Sequence, residues 1–132
     1  MTPEFVSVDD VLDLHAWVLD RYGGGAGIRD RGLLESAVAQ PASSFGGEFV
    51  HGDLFAMAAA YLFHIVRNHP FVDGNKRAGL MAALVFLDLN GVSLLEHSEA
   101  LYDLTIAVAE GRCDKAGIAR ELRRLLLLSD EP

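Results

Sequence analysis

The chain holds a single cysteine, Cys113, among 132 residues. That count excludes an intrachain disulfide and fits a reducing cytoplasm. Aromatic residues are sparse, at 8%. No apolar run reaches the roughly 18 residues that a membrane span needs. The opening Met-Thr-Pro-Glu-Phe has neither the basic residues nor the apolar stretch of a secretory signal. Positive charge is also scarce: 11 Lys and Arg face 19 Asp and Glu, for a net charge of −8. Such a balance disfavours direct binding of nucleic acid. Repeats, low-complexity tracts and linkers are missing too, so residues 1–132 read as one domain.

What is present points to a helical protein. Hydrophobic residues make up 51% of the chain, and the mean hydropathy of +0.23 argues against disorder. Ser7-Val8-Asp9-Asp10 is a capping-box-like start to an amphipathic helix that ends near Arg21, before the flexible turn Gly23-Gly24-Gly25. Asp30 caps a second, short helix that Pro41 stops. Residues 42–52 read as a loop or short hairpin. Asp53 caps a strongly apolar helix to about Asn68, and another buried helix runs from near Asn75 to the stop at Asn90-Gly91. Val92 to Leu95 is a candidate extended piece. Ser98 opens a helix to Glu110 and Asp114 opens the last one. The expected fold is all-α, a six-helix bundle with short connections.

Chemistry concentrates in one string: His69-Pro70-Phe71-Val72-Asp73-Gly74-Asn75-Lys76-Arg77. It falls between two core helices and opens the second. A helix N-terminus offers unpaired N–H groups and a partial positive charge, a ready anion site. Gly74 permits close backbone approach. Lys76 and Arg77 on the first turn oppose the helix dipole, a cost that a bound phosphate reverses. Asp73 is placed to hold a Mg²⁺ that bridges phosphate oxygens. His69 is suited to take a proton from an attacking hydroxyl near neutral pH. Phe71 anchors the loop in the core. Together these are the parts for transfer of a phosphate-containing group. The other histidines, His15, His51, His64 and His97, share no metal-binding spacing and read as structural. Arg112, Lys115, Arg120, Arg123 and Arg124 cluster near the end of the chain and read as a solvated face.

The string resembles the signature of Fic-domain proteins, His-x-Phe-x-(Asp/Glu)-(Gly/Ala)-Asn-(Gly/Lys)-Arg. Within them it is similar to the Doc ("death on curing") toxins, which carry Lys where most Fic enzymes carry a second Gly. Arg21-Tyr22-Gly23-Gly24, Gly27-Ile28-Arg29-Asp30, Gly32 to Ala37, Asp53-Leu54-Phe55, Leu84 to Leu87 and Leu122 to Leu125 extend the likeness over nearly the whole chain. The resemblance implies a compact Fic/Doc bundle with His69 as base and Asp73 as the Mg²⁺ ligand. Gly74, Asn75, Lys76, Arg77 and Arg67 would bind the phosphates of ATP. It further implies a toxin that moves the γ-phosphate of ATP onto elongation factor Tu, and a Phd-like antitoxin that covers it. AMP transfer of the ordinary Fic kind stays open, as does a non-catalytic binding role on the same fold. Leu80 stands where many Fic enzymes have another Arg, which weakens the AMP reading. No self-inhibiting (Ser/Thr)-x-x-x-Glu-(Gly/Asn) helix is recognisable. Residues 43–52 stand in the place of the Fic flap, a target-binding element or a plain loop.

Overall fold

Ser7 starts the first helix with a reciprocal pair of bonds: its hydroxyl accepts from the Asp10 N–H at 3.1 Å, and the Asp10 carboxylate accepts from the Ser7 N–H at 2.9 Å. The structure, a computed structural model, describes residues 2–92 and 98–128. Six α-helices lie in the described residues: α1 (Val8–Tyr22), α2 (Arg31–Ala39), α3 (Leu54–Asn68), α4 (Asn75–Leu89), α5 (Ser98–Ala109) and α6 (Lys115–Leu128). The expected all-α bundle is therefore the observed one. Asp30 and Asp53 cap α2 and α3 through their side chains, as their positions predict. A short 3₁₀ turn, Gln40–Ala42, follows α2 and buries Pro41. The extended piece expected after Val92 lies outside the described residues, as does His97.

Helix α3 is the axis of the core. It packs against α2, α4, α5 and α6, and its Ala58, Ala59, Ala60, Leu62 and Ile65 are fully buried. Small residues let α4 approach closely. A Cβ on Gly79 would lie 2.9 Å from Val66 Cγ2, so this glycine fixes how near the two helices come. The α3–α4 pair is what holds the connecting string 69–74 in place. The segment before α1 is tied down by Tyr61, whose hydroxyl accepts from the Val6 N–H at 2.8 Å and donates to the Val6 carbonyl at 3.0 Å. Burial pushes the Tyr61 phenol up to about 12.

Between α2 and α3 the chain forms a two-stranded hairpin, β1 (Ser44–Phe45) against β2 (Glu48–Phe49). Gly46 and Gly47 have φ of +61° and +84°, the paired positive values that a tight two-residue hairpin turn needs. Of the loop and hairpin alternatives, the chain adopts the hairpin. Phe45 is 86% exposed on it.

Candidate active site

His69 ends α3 and Asn75 begins α4, and the six-residue spacing folds them onto each other. His69 adopts φ 51°, ψ 54°, the left-handed cap conformation, and is the one non-glycine residue with positive φ among the described residues. Such a conformation costs energy in a side chain with a Cβ and persists only when the surroundings hold it. Arg29 supplies that hold. Its Nε donates to the His69 carbonyl at 2.6 Å and its Nη2 to the Asn68 carbonyl at 2.9 Å, so a guanidinium closes the negative end of α3.

Asn75 fixes the imidazole from the other side. It is buried, its Oδ1 accepts from the Phe71 N–H at 2.9 Å, and its Nδ2 donates to the Phe71 carbonyl at 3.0 Å. The second Nδ2 hydrogen reaches His69 Nδ1 at 3.1 Å. Asn75 was expected among the phosphate ligands. Its side chain makes these bonds within the loop, and its backbone N–H is one of the first-turn donors of α4. Gly74, with φ +80°, provides no side-chain cap to α4. The first-turn N–H groups of Asn75, Lys76 and Arg77 thus have no partner within the helix.

The loop is strapped to the α1–α2 connection. Ile28 pairs with Phe71, the Arg29 and Asp30 N–H groups donate to the Pro70 carbonyl, and the Val72 N–H donates to the Gly27 carbonyl. Phe71 is fully buried and stacks on the buried His15, with ring centroids 3.7 Å apart and planes 5° from parallel. His15 Nε2 donates to the Asp73 carbonyl at 2.8 Å. Asp73 itself is exposed. Hydrogen bonds from the Gly25 and Gly74 N–H groups, at 3.2 and 2.9 Å, hold its carboxyl below the usual carboxylate range, with Lys76 adding in the same direction. A Cβ on Gly24 would stand 2.8 Å from Asp73 Oδ2, so the glycine run of the strap is what lets that carboxylate lie down there. Lys76 and Arg77 are exposed on the first turn, and the Arg77 guanidinium lies 4.1 Å over the Tyr22 ring.

One expected site residue stands apart. Arg67 is in the last turn of α3, and its Nη1 sits 3.5 Å from the Val108 carbonyl, in a cleft with Arg112 and Arg120. Residues 69–77 do not line that cleft. His69, Asp73, Gly74, Asn75, Lys76 and Arg77 are brought together; Arg67 is turned toward the α5–α6 connection. Residue types alone do not point to His15, Arg29 and Tyr22 as partners of the loop, because each comes from a distant stretch. The glycine-rich strap between α1 and α2 is the one local signal.

Among the described residues no group of three or more His, Cys, Asp or Glu converges as a metal cage, and no helix is long and apolar enough to cross a membrane. The Fic/DOC family signature matches residues 5–87. The chain is 38% identical over 120 residues to "Protein kinase doc" of Escherichia phage P1, spanning 91% of this chain and 94% of that protein. It is 40% identical over 121 residues to "Toxin Doc" of Mycolicibacterium smegmatis, spanning 90% and 91% respectively.

Proposed function

The chain belongs to the Fic/Doc family, and on that footing we propose that it is a toxin that transfers the γ-phosphate of ATP to a protein hydroxyl. Its target in this reading is a translation protein, elongation factor Tu, and the outcome is arrest of translation in the cytoplasm. The observation that carries the reading is Lys76 on the first turn of α4. A second Gly there would let a nucleotide's phosphates lie against the backbone, whereas Lys fills that space with a flexible cation. The name of the phage relative, a protein kinase, supports the same choice.

The residues have distinct tasks. The uncapped N–H groups of α4, with Lys76 and Arg77, receive the negative phosphates. Tyr22 keeps the Arg77 guanidinium over its ring and so near the helix start. His69 serves as the base for the attacking hydroxyl. The Asn75 contact at Nδ1 fixes the orientation of the imidazole in the loop. Asp73 suits a hard cation: both its oxygens are oriented by backbone N–H groups and the carboxylate is open to solvent. Together with phosphate oxygens and water it would hold Mg²⁺, which when bound neutralises charge on the transferring group. The exposed Phe45 and Val50 of the hairpin give a target segment apolar contact beside a free strand edge. A Phd-like antitoxin is the matching partner.

Elongation factor Tu incubated with the protein and ATP labelled at the α or the γ position tests the reading. Label arriving from the γ position alone is expected. Label from the α position alone sinks phosphate transfer and leaves AMP transfer. If a His69→Ala variant remains fully toxic, neither transfer is the source of toxicity and the binding role is left.

A further inference from the structure

The cleft that takes Arg67 has a volume of about 500 Å³, in the range of small-molecule sites. Three arginines line it from three different segments: Arg67 from α3, Arg112 from the α5–α6 connection and Arg120 from α6. In a chain of net charge −8, three guanidinium groups around one space are an unusual concentration of positive charge. Their counter-charges are few. Arg112 is engaged by the Glu110 carboxylate, at 2.7 and 2.9 Å. Arg67 and Arg120 have no carboxylate within ion-pair distance among the described residues. Asp114 also lines the cleft, but its Oδ1 caps α6 by accepting from the Gly117 N–H at 2.8 Å.

Two glycines shape the space. A Cβ on Gly111 would come 3.2 Å from Arg67 Nη1, and one on Gly117 would come 3.0 Å from Cys113 Sγ. Side chains at either place would push into the cleft or displace the guanidinium. Phe63 provides an apolar wall. Arginine is the side chain whose planar fork matches phosphate oxygens two at a time.

We propose that this cleft is an anion site for a phosphate-bearing ligand, gripped by Arg67, Arg112 and Arg120. Binding there stands independently of the transfer reading, because no residue of the 69–77 loop lines it. A carboxylate ligand matches only one fork at a time, and three guanidiniums lining one space favour a di- or triphosphate group. Inorganic pyrophosphate and a nucleotide share that chemistry, and Phe63 is the feature that would separate them.

Calorimetric titration of the full chain with inorganic pyrophosphate, and separately with ADP, in a metal chelator, is the test. Both Arg112 and Arg120 are exposed, so an R112Q/R120Q variant is expected to keep the helical circular dichroism of the parent. Pyrophosphate binding should weaken about tenfold or more in that variant. ADP bound tighter than pyrophosphate, with the same dependence on the two arginines, identifies a nucleotide ligand; equal binding identifies the phosphates alone. A single R120Q variant, with less to disturb the fold, should show part of the loss. The proposal is overturned if neither anion binds the parent chain, or if binding survives R112Q/R120Q and is lost instead in K76A/R77A.

Discussion

Asn75 Nδ2 lies 3.1 Å from His69 Nδ1, and this contact decides which nitrogen of the imidazole carries the proton. The orientation of the Asn75 amide is not free to reverse. A backbone N–H, that of Phe71, must donate to Oδ1, so the NH₂ end is the one facing the ring. His69 Nδ1 is thereby an acceptor. One buried amide thus links the loop's shape, through Phe71, to the state of the imidazole, and it does so from the first residue of the next helix.

Replacing Asn75 by Ala should have two separable consequences. The Phe71 N–H and carbonyl lose their partners in a buried place, which is expected to lower unfolding free energy by about 1–3 kcal/mol in urea titrations. Protein-labelling activity should fall further than the folded fraction explains, and its pH profile should move because the tautomer is released. An unmoved pH profile with only a stability loss would reduce Asn75 to a structural clamp.

Gly79 offers a prediction opposite to helix propensity. Ala in place of an interior Gly normally stabilises a helix by about 1 kcal/mol. Here the added methyl meets Val66 Cγ2 at 2.9 Å, Ile65 Cγ2 at 3.4 Å and the Leu62 carbonyl at 3.4 Å. Val and Ile are stiff at χ1, so α3 and α4 must part, at a cost of about 1–3 kcal/mol. Gly79→Ala is therefore expected to lower the urea midpoint. A higher midpoint would mean that the α3–α4 spacing has slack.

Caps and apolar periodicity made the helices readable in advance: Ser7, Asp30 and Asp53 each mark a start within a residue, and Pro41 and Asn90-Gly91 mark stops. Local signals of this kind are decided within a turn of backbone. The loop 69–77 was equally legible, because its residues are contiguous. What supports it was not. His15, Gly24 and Arg29 reach the loop only once α1 and the α1–α2 strap have folded against it, and the strap's glycine run is the one local sign of that contact. Arg67 lies two positions before His69 in sequence yet is turned toward the α5–α6 connection, a placement that depends on how α5 and α6 pack on α3.

Tyr22 should affect binding more than stability. Its exposed ring carries the Arg77 guanidinium at 4.1 Å, an arrangement worth about 0.5–1 kcal/mol at exposed sites. Tyr22→Ala is expected to leave the unfolding midpoint within experimental scatter. In the transfer assay the KM for ATP should rise about two- to fivefold with kcat little changed. A fall in kcat at constant KM would place Arg77 in the transition state rather than in binding.

The stability of the fold should depend on pH through a cluster outside the loop. Lys115 Nζ stands 3.2 Å from His64 Nε2 and 3.4 Å from His51 Nε2, joining α6, α3 and the segment after the hairpin. Burial, then Lys115 and then His51, lower the His64 imidazole to about 4; burial and Lys115 lower His51 as well. Both rings are therefore neutral in the folded chain at a pH where the unfolded chain already binds protons. Unfolding takes up protons in this window, so stability falls as acid is added. For His64 the loss begins near the ordinary value of 6.5 and levels off near 4, below which both states are protonated. Urea unfolding of the parent chain between pH 7.5 and 4.5 should show a declining midpoint, and a His64→Gln variant should show a shallower decline. Equal slopes in the two chains would mean that the imidazole is solvated well enough to titrate alike in both states. A steeper slope in the variant would mean that folding raises the His64 pKa instead of lowering it.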